Sequence, residues 1–521
     1  MATSRSESGG SKKGSALTRV LIANRGEIAV RIIRACRERG LESVAVYSTA
    51  DQFSMHVRMA DFAVQLPGSA AADTYLNVEK ILAAIKASGA DAVHPGYGFL
   101  SENEAFAEAV TKAGAKFIGP SPAAMHRMGD KIEAKRIMRE ARVPTVPGSE
   151  TALSSVDELK KHARDIGYPL ILKAAAGGGG RGMRVVRRDE ELADALAACG
   201  REASAWFGNP AVFCERYIEH PRHIEVQVLF DEHGNGVHLF ERDCSIQRRH
   251  QKLIEEAPSS YLSHEQRMRL GEIAVRAAAS AGYASAGTVE FICESPEKAY
   301  FMEMNTRIQV EHPVTEMITG IDLIAMQLAV AAGEKLPFRQ EDITLRGWAF
   351  EARINAEDPT QGFAPAPGKI QRMTLPAGPG VRVDTHLYQG YEIPPQYDSM
   401  IAKLIVSGTD RNNAMARLAR ALREIRVEGV PTTAAFHECL LRHPDFLRGV
   451  FTTRFLEEQQ EWFQRELTSL DANLTDDAAL LAAVLHAQRE VQGASAAAPG
   501  QTTDTSRTGL TPWAQAARPL R

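Results

Sequence analysis

The chain has 521 residues, of which 44% are hydrophobic and 24% charged, and its formal net charge is −4. This length exceeds what one hydrophobic core usually supports, so we expect two to four domains of an ordinary globular protein. The small net charge argues against nucleic-acid binding. No apolar run approaches the length that a membrane span needs, so no membrane association is expected.

The six cysteines, Cys36, Cys199, Cys214, Cys244, Cys293 and Cys439, include no Cys-x-x-Cys pair. This argues against a zinc site and a disulfide framework and fits a reducing compartment. Residues 1–17 are rich in Ser, Gly and Lys and lack the hydrophobic core of a signal peptide. We expect a cytoplasmic protein whose first 17 residues are a disordered tail, with a cloning remnant or an atypical transit peptide as alternatives.

Residues 18–130 show alternating strand and helix patterns. A short apolar strand, Arg19–Ala23, is followed by apolar residues at helical spacing and by a second strand, Ser43–Tyr47. The turn Asn24–Glu27 has one glycine where a dinucleotide-binding fingerprint needs three, so NAD or FAD binding is not expected. The alternation continues to about Pro120 and predicts a parallel sheet.

A glycine-rich loop lies in the next block, residues 131–345. Lys173 follows an apolar strand, and four consecutive glycines at 177–180 precede the strand Arg184–Val186. Consecutive glycines leave backbone N–H groups free to close over a triphosphate, and Lys173 supplies a point charge for its oxygens. It is not a P-loop, because Gly-x-x-x-x-Gly-Lys-Ser/Thr is missing. We interpret it as the lid of an ATP site, with a mobile hairpin as the alternative.

Polar and apolar residues alternate from Glu303 to Glu311. As one strand, this segment has a polar face of Glu303, Asn305, Arg307, Gln309 and Glu311. A hairpin symmetric about Pro296 and Glu297 would place Glu290, in the strand Thr288–Cys293, directly opposite Glu303. Two facing carboxylates repel unless a cation lies between them, and with the Asn305 amide they suit Mg²⁺. The alternative is an exposed strand edge with scattered salt bridges.

Two strands that precede this hairpin in the sequence have polar side chains, one at its end and the other along one face. Glu215–Ile218 ends a strand from Ala211, where an acid, a base and exposed backbone would suit an adenine edge. In the strand His223–Val228, the side chains of His223, Glu225 and Gln227 share one face. Taken alone, His223 is typical of a structural histidine.

The segment Glu241–Lys252 is too rich in cations for a hydrophobic core. Its cations would suit an anionic substrate beside a polyphosphate. A solvated surface is the alternative interpretation.

Six motifs in order and spacing identify a family: His94–Asn103, Met128–Lys131, the loop after Lys173, Asp243–Lys252, Glu303–Thr315 and Glu351–Asp358. With them the chain resembles biotin carboxylase, an ATP-grasp enzyme, from about Thr18 to Phe455. The resemblance implies an α/β and α+β fold in three parts. These are a parallel-sheet N-terminal domain at 18–130, an ATP-grasp domain at 131–345 with a mobile lid at about 146–217, and a β-rich C-terminal domain at 346–458.

The remaining residues, 459–521, are predicted to form a tail. An apolar stripe behind Asp476 and Asp477 predicts an amphipathic helix at 476–491, followed by a flexible linker rich in Ala, Ser, Thr and Gly.

The resemblance also implies a reaction: ATP activates bicarbonate as carboxyphosphate, and the CO₂ released from it is captured by N1′ of biotin. ATP would be held by Lys131, Lys173, Gly178, Gly179, Gly180, Glu215, Arg216, Tyr217, Ile218, His223, Gln247 and His250. Mg²⁺, with Mn²⁺ as an alternative, would be held by Glu290, Glu303 and Asn305.

Bicarbonate would be held by Lys252, Arg307, Gln309, the backbone of Val310, and Glu311, which would also deprotonate it. Arg353 would stabilise the enolate oxygen of biotin, with Tyr97 against the ring. Lys252, Arg307, Glu311 and Arg353 are the residues expected to be catalytic.

Two positions depart from the pattern of the family. Arg216 stands where lysine is frequent, and Ala176 where the loop commonly has a fifth glycine. Neither change removes a catalytic group.

No Ala-Met-Lys-Met biotinylation site occurs in the chain, so we expect a biotin carboxyl carrier protein in trans, with a separate carboxyltransferase subunit. A homodimer is expected by similarity only. Acetyl-CoA is the first candidate acceptor, followed by propionyl-CoA or another acyl-CoA. The rival functions are another bicarbonate-activating ATP-grasp ligase and a non-catalytic assembly subunit.

Overall fold

The structure is a computed structural model that describes residues 17–153, 155–174 and 182–470. The chain divides into two compact units, Met1–Gln464 and Arg465–Arg521, and every element named below belongs to the first. Residues 1–16 of the predicted N-terminal tail, the lid glycines 178–180 and the predicted helix at 476–491 lie outside the described residues.

The N-terminal part is the predicted parallel sheet with flanking helices. Its strands are β1 (Arg19–Ile22), β2 (Glu42–Ser48), β3 (Phe62–Leu66), β4 (Ala92–His94) and β5 (Lys116–Phe117). Its helices are α1 (Gly26–Glu38), α2 (Met55–Met59), α3 (Val78–Ser88), α4 (Glu104–Lys112) and α5 (Pro122–Gly129). All neighbouring strands are parallel, in the order β3-β2-β1-β4-β5.

Local sequence explains where these helices begin. The side chains of Asn77, Asn103 and Ser121 each accept a backbone N–H in the first turn of α3, α4 and α5. Such caps satisfy donors that have no partner within the helix. In α1 the apolar residues Ile28 and Ile32 recur at helical spacing and are buried in the core beside β1.

The lid region is a small antiparallel sheet between helices. After α6 (Lys131–Glu140) and α7 (Val156–Ile166) come β6 (Leu170–Ala174), β7 (Met183–Val186), α8 (Leu192–Phe207) and β8 (Val212–Arg216). The strand order is β7-β6-β8, and β6 pairs with β7 from Leu170↔Val186 to Lys173↔Met183. The strand-to-strand connection predicted for the glycine loop is therefore confirmed.

An eight-stranded antiparallel sheet forms the centre of the molecule. Its first part contains β9 (Arg222–Phe230), β10 (Gly236–Asp243), β13 (Ile254–Ala257), β14 (Ser285–Ser295) and β15 (Lys298–Asn305), with β11 (Gln247–Arg248) and β12 (Gln251–Lys252) as a separate short hairpin. The helices α9 (His264–Ser280), α10 (His312–Thr319) and α11 (Leu323–Ala331) accompany these strands.

The C-terminal part extends the same sheet. It contains β16 (Trp348–Asn355), β17 (Glu357–Asp358), β18 (Ala364–Pro365), β19 (Arg372–Thr374), β20 (Val381–Thr385), β21 (Met400–Gly408) and β22 (Arg426–Glu428). Its helices are α12 (Arg411–Glu424), α13 (Ala434–Leu440), α14 (Pro444–Arg448) and α15 (Phe455–Glu458). The strand order β15-β14-β9-β10-β13-β16-β21-β20 joins the second and third sequence blocks through β13 and β16. This continuity carries Arg353 into the sheet that holds the predicted metal ligands.

The predicted hairpin is confirmed, and the predicted long strand is wrong. Glu290 on β14 pairs with Glu303 on β15, although the register shifts twice between them and the turn. The strand ends at Asn305, however, and residues 306–311 form a loop that leads into α10. Pro313 lies at the start of that helix, where its fixed φ and missing N–H are suited to a first turn.

No single helix among the described residues is long and apolar enough to cross a membrane; α10 and α11 meet that criterion only together and are bent by 95°.

Candidate active site

Three carboxylates lie side by side on neighbouring strands of the central sheet. In the strand register, Glu290 is paired with Glu303 on one side and with Glu225 on the other. Carboxylates directly opposite one another destabilise a sheet unless cations or donors compensate them. The sequence predicted the first two and missed Glu225, although its alternation with His223 and Gln227 was a signal.

Glu290 is surrounded by donors. Its Oε1 accepts hydrogen bonds from Asn305 Nδ2 at 2.7 Å and Gln309 Nε2 at 2.6 Å, and its Oε2 lies 2.9 Å from His223 Nε2. Burial disfavours its charge, but Lys252 and His223 outweigh burial and hold the pKa of Glu290 well below its usual range. Glu290 is therefore ionised.

Glu303 is the less compensated of the facing pair. Burial and the charge of Glu290 raise the pKa of Glu303 above its usual value, against the nearby charge of Lys131.

His223, Glu225 and Glu290 can each bring a ligand atom within 4.8 Å of the others. The hard oxygens of Glu290, Glu303 and Asn305 are suitable ligands for Mg²⁺, and a divalent cation would relieve the repulsion. The residues present therefore fit such an ion.

Arg242 is the buried centre of this part of the sheet. Its guanidinium donates to Glu225 Oε1 at 2.5 Å, Gln227 Oε1 at 2.8 Å and Gln309 Oε1 at 2.6 Å, and its side chain is fully buried. The segment Glu241–Lys252 was expected to present its cations to an anionic substrate. For Arg242 that expectation is wrong, because its guanidinium is engaged by buried side chains of the protein itself.

Glu311 lies between two cations. Its Oε1 is 2.5 Å from Lys252 Nζ, and its Oε2 is 2.8 Å from Arg353 Nη2. Burial disfavours its charge, but Lys252 and Arg353 hold the pKa of Glu311 well below its usual range. These three predicted residues are therefore brought together, with Lys252 also 2.5 Å from Glu225.

The loop before α10 places the other predicted anion ligands at the same site. Arg307 donates to Glu102 Oε2 at 3.1 Å and Asn305 Oδ1 at 3.0 Å, and Gln309 bridges Arg242 and Glu290. The carbonyl of Val310 accepts from Lys403 Nζ at 3.0 Å. The contacts of Arg307, Gln309 and Val310 are therefore set by a loop and not by a strand.

Tyr97 is half-buried in a cluster with Glu27 and Lys403. Its hydroxyl donates to Glu27, and Lys403 Nζ lies 5.9 Å from the centre of its ring and 3.2 Å from Glu27 Oε1. Burial and the charge of Glu27 raise the pKa of Tyr97 well above its usual range. Tyr97 is therefore a neutral ring with its polar end engaged, and no motif in the sequence pointed to Glu27 or Lys403.

The lysine that precedes the lid loop is paired with an acid on the neighbouring strand. Lys173 Nζ lies 2.5 Å from Glu215 Oε2, and Lys135 on α6 bonds the other oxygen of Glu215. Burial and the neighbouring Lys131 lower the pKa of Lys173 to about 8, and burial and Lys173 lower that of Lys135 to about 7. The structure thus gathers Lys131, Lys173 and Glu215 as predicted and adds Lys135.

The remaining predicted nucleotide contacts are more scattered. Arg216 points to Glu294 Oε2 at 2.6 Å and Tyr300 at 2.9 Å, Ile218 is buried, and Tyr217 is half-buried. Gln247 pairs with Lys252 across the β11–β12 hairpin, and His250 is exposed in its turn with a φ of +66°. The predicted glycines of the lid lie outside the described residues.

Comparison with known proteins shows which family this set of side chains belongs to. Residues 16–125 match the family model described as biotin carboxylase, N-terminal domain, and residues 351–458 match biotin carboxylase C-terminal domain. Residues 130–339 match carbamoyl-phosphate synthase L chain, ATP binding domain. Biotin carboxylase 1 of Bacillus subtilis is 55% identical over 442 residues, covering 85% of this chain and 98% of the relative. The chain belongs to the biotin carboxylase family.

Biotin carboxylases are ATP-grasp ligases that use ATP and Mg²⁺. A biotin carboxylase from Campylobacter jejuni, solved as a β,γ-ATP complex, has 48% identity and a TM-score of 0.82, covering 85% of this chain and 99% of that one. The biotin carboxylase domain of Hydrogenobacter thermophilus 2-oxoglutarate carboxylase, a dimer with MgADP and bicarbonate, has 51% identity and a TM-score of 0.81, covering 86% and 99%. The three-part architecture expected from sequence is confirmed.

The relatives are named for different carboxylases. A pyruvate carboxylase subunit from Methanothermobacter thermautotrophicus is 51% identical over 453 residues, covering 87% of this chain and 92% of the relative. The biotin carboxylase module alone therefore does not identify the acceptor of the carboxyl group.

Proposed function

We propose that this chain carboxylates the biotin of a carrier protein at the expense of ATP and bicarbonate, as the first half-reaction of a biotin-dependent carboxylase. The observation that carries the proposal is the buried Glu311 carboxylate held between Lys252 and Arg353. It provides a proton acceptor, an anion-binding cation and a second cation for charge that develops on biotin, all within one site.

ATP is assigned to residues of the lid sheet, of β9 and of the β11–β12 hairpin. Lys131 and Lys173 would supply charge for the phosphates, and the lid glycines Gly178, Gly179 and Gly180 are proposed to bind them through backbone N–H groups. Glu215–Ile218 would read the adenine edge, and His223, Gln247 and His250 are proposed as further ATP contacts. The two half-buried lysines that pair with Glu215, Lys173 and Lys135, support this assignment. Lys173 bonds Glu215 and has further N–H donors that can reach a phosphate of ATP.

Glu290, Glu303 and Asn305 would hold Mg²⁺, which neutralises charge on the β- and γ-phosphates when bound. The repulsion between Glu290 and Glu303 supports this role. The protein's own part is to present the three oxygens from one hairpin.

Bicarbonate is assigned to Lys252, Arg307, Gln309, the backbone of Val310 and Glu311. Glu311 accepts the proton of the bicarbonate O–H, and the resulting oxygen attacks the γ-phosphorus while the bond to the β-phosphate oxygen breaks and ADP leaves. The low pKa of Glu311 keeps it ionised before this step.

Biotin is assigned to Arg353 and Tyr97. The C–O bond of carboxyphosphate breaks to give CO₂ and phosphate, the phosphate accepts the proton of N1′, and N1′ then bonds to the carbon of CO₂. Negative charge develops on the ureido oxygen as N1′ loses its proton, and the guanidinium of Arg353 stabilises it. The neutral ring of Tyr97 would pack against the bicycle of biotin.

The carrier and the acceptor follow from the sequence motifs and from the relatives. We propose a biotin carboxyl carrier protein in trans, a carboxyltransferase partner, and a homodimer, the state named for the 2-oxoglutarate carboxylase domain. Acetyl-CoA remains the first proposed acceptor and propionyl-CoA the second. The pyruvate and 2-oxoglutarate carboxylases among the relatives make 2-oxoacids the competing class. Identifying the carboxyltransferase that co-purifies with the chain decides among them.

ATP cleavage measured with and without bicarbonate and free biotin tests the proposal. A biotin carboxylase cleaves ATP only with bicarbonate and faster when biotin is added. Cleavage that depends on bicarbonate and ignores biotin would favour another bicarbonate-activating ligase, and no cleavage at all would favour a non-catalytic role in assembly.

A further inference from the structure

Arg353 has a second acidic partner that the proposed chemistry does not use. Glu255, on β13, lies 2.6 Å from Arg353 Nε and 2.5 Å from Arg353 Nη2, both measured to its Oε1. Its side chain is fully buried, and its Oε2 has no hydrogen-bond partner among the described residues. Because β13 and β16 are adjacent strands, the sheet itself fixes this carboxylate beside the guanidinium.

The two acids that contact Arg353, Glu255 and Glu311, have different parts in the proposed reaction, because only Glu311 accepts a proton. Glu311 shares the Nη2 group at 2.8 Å, but it must accept the proton of bicarbonate and so loses its charge. A neutral carboxyl binds a guanidinium more weakly than a carboxylate does. Once Glu311 is protonated, Arg353 would be free to leave its position unless another anion holds it.

We propose that Glu255 is the positioning residue of Arg353, holding the guanidinium in place for biotin while Glu311 carries the bicarbonate proton. This inference rests on the proposed function and adds to it a residue that touches neither ATP nor bicarbonate. The proton moves from the bicarbonate O–H to a Glu311 oxygen, and no other bond changes at Arg353. The guanidinium passes from two anionic partners to one.

The charges around Glu255 favour such a transfer. Burial raises the pKa of Glu255 to about 7, Arg353 and Lys252 lower it, and the charge of Glu311 raises it. When Glu311 becomes neutral, that last contribution disappears and Glu255 becomes more firmly ionised. The pair Glu255–Arg353 therefore strengthens at the step in which it is needed.

The carboxylate opposite Glu255 does not compete for Arg353. Glu351 is its direct cross-strand neighbour on β16, and neither of its oxygens has a hydrogen-bond partner among the described residues. Burial and the charge of Glu255, against that of Lys403, hold the pKa of Glu351 well above its usual range. Glu351 is thus the member of the pair that favours the neutral form, and Glu255, 2.5 Å from Arg353 Nη2, is the member that pairs with the guanidinium.

The adjacent residue on β13 provides a matched control. Glu256 is also buried and also pairs with an arginine, Arg411, at 2.8 Å, but on the opposite face of the sheet. Glu255→Gln and Glu256→Gln each remove one buried negative charge from the same strand. A purely structural effect would appear in both variants.

The experiment compares the full-length variants in two assays, bicarbonate-dependent ATP cleavage without biotin and kcat/KM for free biotin. Glu255→Gln is expected to lower kcat/KM for biotin about tenfold more than it lowers ATP cleavage, the scale of replacing a charged hydrogen bond by a neutral one. Glu255→Asp, which restores the charge, should recover part of the loss. Glu256→Gln should change both assays equally.

Equal losses in both assays for Glu255→Gln, or the same pattern in Glu256→Gln, would overturn the inference. If Glu255→Gln does not fold, the Asp variant decides, because a shortened carboxylate must still show the selective loss for biotin. Failure of the proposed function is separate: it appears in the unmodified protein as the absence of any stimulation of ATP cleavage by biotin.

Discussion

At the scale of single residues, the site depends on buried charges that each have several partners. Arg242, Lys252 and Arg353 together contact Glu225, Glu255, Glu290 and Glu311. Removing one partner of a buried pair costs much more than its contact alone, because the remaining charge is left in a poorly solvating interior. Variants should therefore be compared for stability as well as for activity.

Arg353→Ala is expected to remove most biotin carboxylation, with turnover falling ~10²-fold or more, the scale for losing one preorganised charge-stabilising group. Nucleotide affinity should change little, because Arg353 contacts Glu255 and Glu311 and none of the residues assigned to ATP. Biotin-dependent turnover and calorimetric nucleotide binding measure the two. A parallel loss of nucleotide affinity would argue against the role assigned to Arg353.

The hairpin carboxylates should separate from Glu311 in a metal titration. Glu290→Gln and Glu303→Gln each remove a proposed Mg²⁺ ligand and should raise the Mg²⁺ concentration for half-maximal turnover about tenfold or more. Glu311→Gln should depress turnover even at saturating Mg²⁺, because it cannot accept a proton. Identical metal titrations for all three variants would refute this division.

At the scale of elements, the hairpin could be predicted and the segment after it could not. Alternation and the turn around Pro296 were enough to pair Glu290 with Glu303. The same alternation continues to Glu311, yet β15 is an edge strand, and beyond Asn305 the side chains of Gln309 and Glu311 are held by Arg242 and Lys252 instead of by a neighbouring strand. The alternation of polar and apolar residues within one segment does not predict contacts with residues far away in the chain.

The affinity for ATP is expected to depend on pH through Lys173, which lies on β6 of the lid sheet. Because the pKa of Lys173 is lowered to about 8, the lysine is charged below that pH and becomes neutral above it. The apparent affinity for ATP should therefore fall as pH rises through about 8. Lys173→Arg, which stays charged, should show a flatter dependence in calorimetric titrations on either side of that pH. Equal slopes for the two proteins would exclude Lys173 as the titrating group.

At the scale of the whole molecule, the continuous eight-stranded sheet is the feature that assembles the site. The sequence motifs indicated the three parts of the family architecture, and the family comparison bears this out. Glu255, Glu27 and Lys403 escaped prediction because each acts through a partner about seventy or more positions away in the chain. Pairing across a sheet has no signature in a single segment.

Two truncations test how much Trp462 and Phe463 contribute to the stability of the protein. The rings of Trp462 and Phe463 lie 4.5 Å and 5.8 Å from that of His443, and Phe463 is buried. Ending the chain after residue 458 removes both aromatics and should destabilise the protein by about 3–5 kcal/mol, the scale for losing one large buried aromatic. Ending it after residue 464 keeps both rings and should therefore retain this contribution to stability. Equal midpoints for the two truncations would show that these ring contacts add no stability.

The proposed reaction of this site transfers a carboxyl group from bicarbonate to carrier-bound biotin. The direct measurement is the transfer of label from ¹⁴C-bicarbonate to a separately purified, biotinylated carrier protein, with and without ATP. We predict labelled carrier only when ATP, Mg²⁺ and this chain are all present, and far less label with Arg353→Ala. ATP cleavage that leaves the carrier unlabelled, or label found on a lysine of this chain itself, would contradict the account.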